Sequence, residues 1–230
     1  METMATDLRS QITMLEQTLP PLHPEKAELL QRAALELSLS GITRRVLKAG
    51  DQAPDFTLPN PVGTQVTLAR ALERGPVVVT FYRGMWCPYC SLQLKAYQQI
   101  LPEIQRLGAS LIAISPQSPD KSQATLLKNF LQYEVLSDLG NVVARQFGLV
   151  YQVPEWVREL YLSFGTDLPA FNGDDSWELP IPGTFLVGQE RRIALAYADT
   201  DARNRLEPKA ILEALATLSG GRDEVVGEPL

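Results

Sequence analysis

The segment VVVTFYRGMWCPYC, residues 77–90, constrains this chain more than any other. A β-branched apolar run too short for a helix leads into Cys-Pro-Tyr-Cys, and helical spacing follows at Leu94, Tyr97 and Leu101. The pattern predicts a buried strand that ends where a helix begins, with Cys87 at the junction. Backbone N–H groups at a helix start are unpaired and the helix dipole is positive there, so a thiolate is favoured over a thiol. Cys87 is therefore expected to be acidic, nucleophilic and exposed at the helix mouth. Pro88 suits the first helical turn, because it has no N–H to leave unpaired. Cys90 falls one turn along, on the face of Leu94, Tyr97 and Leu101. That spacing lies within disulfide range, which makes Cys90 the resolving partner.

Two cysteines in 230 residues are too few for a disulfide scaffold. A zinc site needs four ligands, and the only other soft ligand is the single histidine, His23. Inert core cysteines are the bland alternative, but a pair at a strand-to-helix junction reads as redox chemistry. No metal, flavin or nucleotide is called for by any residue. The net charge of −6, with dispersed basic residues, gives no footing for nucleic acid. The first 20 residues mix charge and polarity and contain neither a secretory core nor a spanning helix. The expectation is a soluble, cytoplasmic protein with no membrane association.

Hydrophobic spacing predicts two helices at 5–19 and 24–40, separated by Pro20, Pro21 and Pro24. This extension, residues 1–48, would either cover a sheet face or mediate a homodimer. Residues 49–219 read as one α/β domain. A hairpin at 56–58 and 65–68 turns at Asn60-Pro61-Val62-Gly63. Further strands are expected at 110–115, 133–136, 184–187 and 192–197, with helices at 122–132, 141–147 and 208–218. Residues 150–180 look like a long insertion holding one helix at 155–164, and 220–230 like a loose tail.

The block FYRGMWCPYC, with GDQAPDFTL before it and LIAISPQSPD and VLSDLGNVVARQFGL after it, resembles the peroxiredoxin-like branch of the thioredoxin superfamily, related to alkyl hydroperoxide reductases and thiol-specific antioxidant proteins. The resemblance covers about residues 50–218. Cys-Pro-Tyr-Cys is also similar to glutaredoxins, and Trp86 before it to thioredoxins. It implies a thioredoxin-like fold, a central mixed β-sheet flanked by helices. It also implies a peroxidase in which Cys87 becomes a sulfenate that Cys90 resolves, with thioredoxin, glutaredoxin or glutathione as reductant. IPGTFLV at 181–187 looks like the loop that carries a cis-proline opposite the cysteines, here Pro182, with backbone groups free for a substrate. One departure stands out. Relatives carry Pro-x-x-x-Thr/Ser-x-x-Cys, whereas Thr80 and Gly84 occupy the proline and hydroxyl positions here. Arg83 is then the cation expected to support the thiolate or hold the peroxide, unless it snorkels to solvent; Trp86 is expected to present an exposed edge to substrate. The alternatives are an oxidoreductase acting on protein disulfides and a non-catalytic redox sensor.

Overall fold

The computed structural model describes residues 7–220. The expected tail thus lies almost wholly outside the described residues, as does the start of the first predicted helix. The described chain opens with α1 (Leu8–Thr18) and α2 (Pro24–Leu39), followed by the hairpin β1 (Thr57–Pro59) and β2 (Gln65–Thr67) and by α3 (Leu68–Leu72). The strand β3 (Val77–Phe81) leads to α4 (Pro88–Gln99) and α5 (Leu101–Arg106), then to β4 (Ser110–Ser115), α6 (Pro119–Asn129), β5 (Glu134–Ser137) and α7 (Val142–Gln146). The insertion contributes β6 (Val150–Gln152), α8 (Glu155–Ser163), α9 (Leu168–Asn172) and β7 (Glu178–Pro180). The chain then forms β8 (Gly183–Val187), β9 (Ile193–Ala198) and α10 (Pro208–Gly220).

Five strands form the central sheet in the order β5-β4-β3-β8-β9. β3, β4 and β5 run parallel, and β8 and β9 add antiparallel pairs, so the sheet is mixed as expected. Strand alternation divides the residues of β3 between two cores. Val77, Val79 and Phe81 pack with Phe147 and Phe185 on one face. Val78 packs on the other, with Tyr82, both cysteines, Leu94, Tyr97 and Ile211. Both thiols are thereby placed in the apolar layer between the sheet and its helices.

Three elements depart from the sequence-based expectation. α6 begins three residues earlier, because Pro119 after Ser118 is itself the helix start, and it ends where Phe130 turns left-handed at φ 53°. The insertion is more ordered than its composition implies: β6 and β7 pair antiparallel, Val150 opposite Pro180, and close it into a compact loop. The N-terminal helices mostly cover other helices. α1 sets Leu8 and Ile12 against Ala96 of α4, and α2 sets Leu30 and Ala33 against Val157 and Leu160 of α8. Glu207 fastens α1 from outside, its carboxylate accepting the N–H groups of Leu8 at 3.0 Å and Arg9 at 2.9 Å.

Candidate active site

The strand passes into the site loop after Tyr82, whose N–H still bonds to Ile114 O at 3.0 Å. Gln117 holds the loop that follows. Its Oε1 accepts the Met85 N–H at 2.7 Å, while its Nε2 donates to Tyr82 at 3.3 Å and to Thr125 at 3.1 Å. Cys87 caps α4, its sulfur accepting the Cys90 N–H at 3.4 Å, and Pro88 opens the first turn. Arg83 turns inward and donates from Nη2 to Cys87 Sγ at 3.2 Å. It does not snorkel.

Gly84 makes room for this arrangement. A Cβ there would stand 2.4 Å from Trp86 Nε1. Gly84→Ala is therefore expected to push the indole off its seat and to destabilise the fold by about 1–3 kcal/mol. Chemical denaturation and tryptophan emission check this; unchanged emission and stability would show that Trp86 is not seated against Gly84.

Two expectations about exposure need correction. Cys87 is wholly buried, at 0% exposure, as is Cys90. Trp86 is half-buried, packed edge-to-face on Tyr161 of α8 with ring centroids 5.8 Å apart, while Arg83 sits 5.1 Å over its ring. The insertion seats the indole and Arg83 spans from the indole to Cys87 Sγ, so an arrangement set by distant parts of the chain replaces the open helix mouth.

The acidity expected of Cys87 belongs to the two thiols together. Burial pushes the Cys87 thiol well up, and donation of its proton to Cys90 adds to this, against the pull of Arg83. Burial also acts upward on Cys90, yet the hydrogen bond from Cys87, together with Arg205 and Arg83, outweighs it and holds that thiol well below the ordinary range. The two sulfurs titrate as a pair. One ionises early and keeps its charge stabilised by two guanidiniums, and the remaining proton lies between them.

Pro182 is also corrected. No peptide bond among the described residues is cis, so the Ile181–Pro182 bond is trans. Its backbone is not free for a substrate either, because Pro182 O accepts the Asp199 N–H at 3.4 Å and Ile181 N–H bonds to Leu149 O at 2.9 Å.

Sequence reading missed a buried polar group behind Cys90. Thr80 and Thr184 share a hydrogen bond of 2.9 Å, and Gln93 Nε2 reaches Thr184 at 3.2 Å and Tyr97 at 3.0 Å. Arg205, only 8% exposed, donates to Gln93 Oε1 at 2.6 Å and to Cys90 Sγ at 3.5 Å. Gln93 was detectable as a polar residue on an otherwise apolar helix face. Arg205, 115 positions from Cys90, carried no local signal.

The sequence pattern of the AhpC/TSA family matches residues 49–196, a span that contains the whole central sheet up to the middle of β9. The chain belongs to the AhpC/TSA family. Peroxiredoxin Bcp of Escherichia coli is 35% identical over 103 residues, 45% of this chain and 65% of that protein. The chloroplastic peroxiredoxin Q of Gentiana triflora is 35% identical over 100 residues, 44% of this chain and 46% of the relative. The matched stretch thus spans less than two thirds of these relatives. The crystal structure of peroxidoxin BcpB from Mycobacterium tuberculosis covers 75% of this chain and 98% of its own, with a TM-score of 0.59 and 24% identity. At that identity the likeness bears on fold alone, and it agrees with a thioredoxin-like peroxiredoxin architecture. Within this AhpC/TSA chain, α1 and α2 precede the matched span and α10 follows it.

Proposed function

We propose that this protein is a thiol-dependent peroxidase that reduces hydrogen peroxide or a small organic hydroperoxide through Cys87, with Cys90 as the resolving thiol. The observation that carries this reading is an enclosed Cys87 Sγ with the Arg83 guanidinium 3.2 Å away and Cys90 one helical turn along. The family relationship supports it. Arg83 Nε and Trp86 Nε1 are buried without a hydrogen-bond partner. Two orphan donors are costly unless something accepts from them, and a peroxide oxygen is an acceptor of suitable size.

In the oxidative step the pair's remaining proton shifts to Cys90, and the Cys87 thiolate attacks one peroxide oxygen. An S–O bond forms and the O–O bond breaks. The departing oxygen takes a proton and leaves as water or alcohol, and Cys87 becomes a sulfenic acid. Arg83 offsets the negative charge that spreads over sulfur and oxygen in the transition state. The Cys90 sulfur then attacks the sulfenic sulfur, water leaves, and the Cys87–Cys90 disulfide remains. A dithiol such as thioredoxin or glutaredoxin, or glutathione, restores both thiols by exchange. Because Cys87 is fully buried, peroxide entry requires local movement around the site.

Mixing reduced protein with hydrogen peroxide, and separately with an organic hydroperoxide, tests this reading. Both thiols are expected to disappear together, far faster than a small free thiol is oxidised, with a change in tryptophan emission. Oxidation at the rate of a free thiol would overturn the peroxidase assignment and leave disulfide exchange as the activity to assay.

A further inference from the structure

Arg205 lies outside the family-matched span, on the segment between β9 and α10, yet it reaches the sulfur that the peroxidase cycle must release. Its side chain is held at three points. Nε donates to Ala202 O at 2.8 Å, Nη1 to Gln93 Oε1 at 2.6 Å and Nη2 to Cys90 Sγ at 3.5 Å. Gln93 is in turn fixed by Tyr97 and Thr184, and Tyr97 donates to Leu206 O at 3.0 Å, one residue beyond the arginine. A guanidinium held this way cannot swing to solvent without breaking a buried network. No comparable restraint is needed for packing alone, since an apolar side chain would fill the space without a buried charge.

We propose that Arg205 is a catalytic residue of the reductive half of the cycle, stabilising Cys90 as the leaving thiolate when an external dithiol opens the Cys87–Cys90 disulfide. This rests on the peroxidase reading for its place in the cycle. A thiolate of the dithiol attacks Cys87 Sγ and forms a mixed disulfide. The Cys87–Cys90 bond breaks, and its electron pair leaves on Cys90 Sγ beside Arg205. The dithiol's second thiolate then attacks the reductant sulfur of the mixed disulfide and expels Cys87 as a thiolate, so the reductant is oxidised to a disulfide and the enzyme gains two electrons. Exchange is faster when the leaving thiol is more acidic. The low acid range of Cys90 agrees with this role. Each guanidinium hydrogen-bonds one sulfur, Arg83 to Cys87 and Arg205 to Cys90.

The charged and titratable groups that bear on Cys90 are Cys87, Arg83, Arg205 and Tyr82. In a Cys87→Ser background only Cys90 remains as a thiol, and its ionisation is read from thiolate ultraviolet absorbance against pH. Arg205→Met is expected to raise that midpoint by about one pH unit, and Arg205→Lys by less. With both cysteines present, Arg205→Met is expected to slow reduction of the preformed disulfide by dithiothreitol about threefold to tenfold. An unmoved midpoint together with an unchanged reduction rate would overturn the proposal. Should Arg205→Met not fold, Cys87→Ser with Arg205 intact decides the matter: a Cys90 midpoint at or above that of a free thiol overturns it. Neither readout depends on peroxide turnover, so a failure here is distinguishable from failure of the peroxidase reading.

Discussion

Cys87→Ser is expected to lower peroxide turnover by more than about a thousandfold, the scale on which a lost nucleophile reads. The serine hydroxyl is close in size to the thiol, so the buried site keeps its packing, but it does not ionise near neutral pH and Arg83 is left facing a neutral group. Cys90→Ser is expected to behave differently. It keeps the nucleophile, consumes about one equivalent of peroxide, and stalls as a Cys87 sulfenate that a dimedone-type probe captures. The pair of variants also tests the assignment of roles. Cys90 is the thiol held low and Cys87 the one pushed up, so a reversed result, with turnover retained by Cys87→Ser and lost by Cys90→Ser, would make Cys90 the attacking sulfur. Three features favour Cys87. Its sulfur accepts from Arg83 at 3.2 Å, it caps the helix, and the guanidinium that touches it carries one of the unpartnered donors. The charge already present in the pair reaches Cys87 by moving one proton across a hydrogen bond.

How much of this was legible in the sequence follows from the range of the interactions. The strand and the helix start at Pro88 are set within a few residues, and both are present. The hairpin at Asn60–Gly63 was legible for the same reason. Its turn closes on itself, with the Asn60 side chain accepting the N–H groups of Val62 and Thr64. The burial of Cys87 was not legible, because the neighbouring Trp86 packs on Tyr161, which is distant in sequence. Nor was the acidity of the pair, since helix position argues for Cys87 while a guanidinium from residue 205 acts on Cys90. The Pro182 expectation rested on resemblance, and here the neighbouring chain decides. Asp199 N–H already takes the carbonyl that a substrate would need.

Arg83→Met carries the second large effect, a loss of about a hundredfold in peroxide turnover. The guanidinium touches Cys87 Sγ, lies over Trp86, and stays fully charged because the cost of burying it is outweighed by Cys87, Tyr161, Tyr151 and Cys90 around it. Removing it has two separable consequences. The first is on ionisation: with one cation fewer beside the pair, the early thiolate forms at higher pH, so the rate against pH moves to the alkaline side. Raising the pH recovers that part of the loss. The second is on the transition state, where charge spreads onto the peroxide oxygens, and pH does not recover it. Arg83→Lys should restore ionisation better than turnover, since an ammonium supplies charge but not the planar fork that can donate to sulfur and peroxide together. A pH profile for Arg83→Met that is merely displaced, with full wild-type rate at its alkaline plateau, would reduce Arg83 to a thiolate support and leave the unpartnered Trp86 N–H as the donor to peroxide.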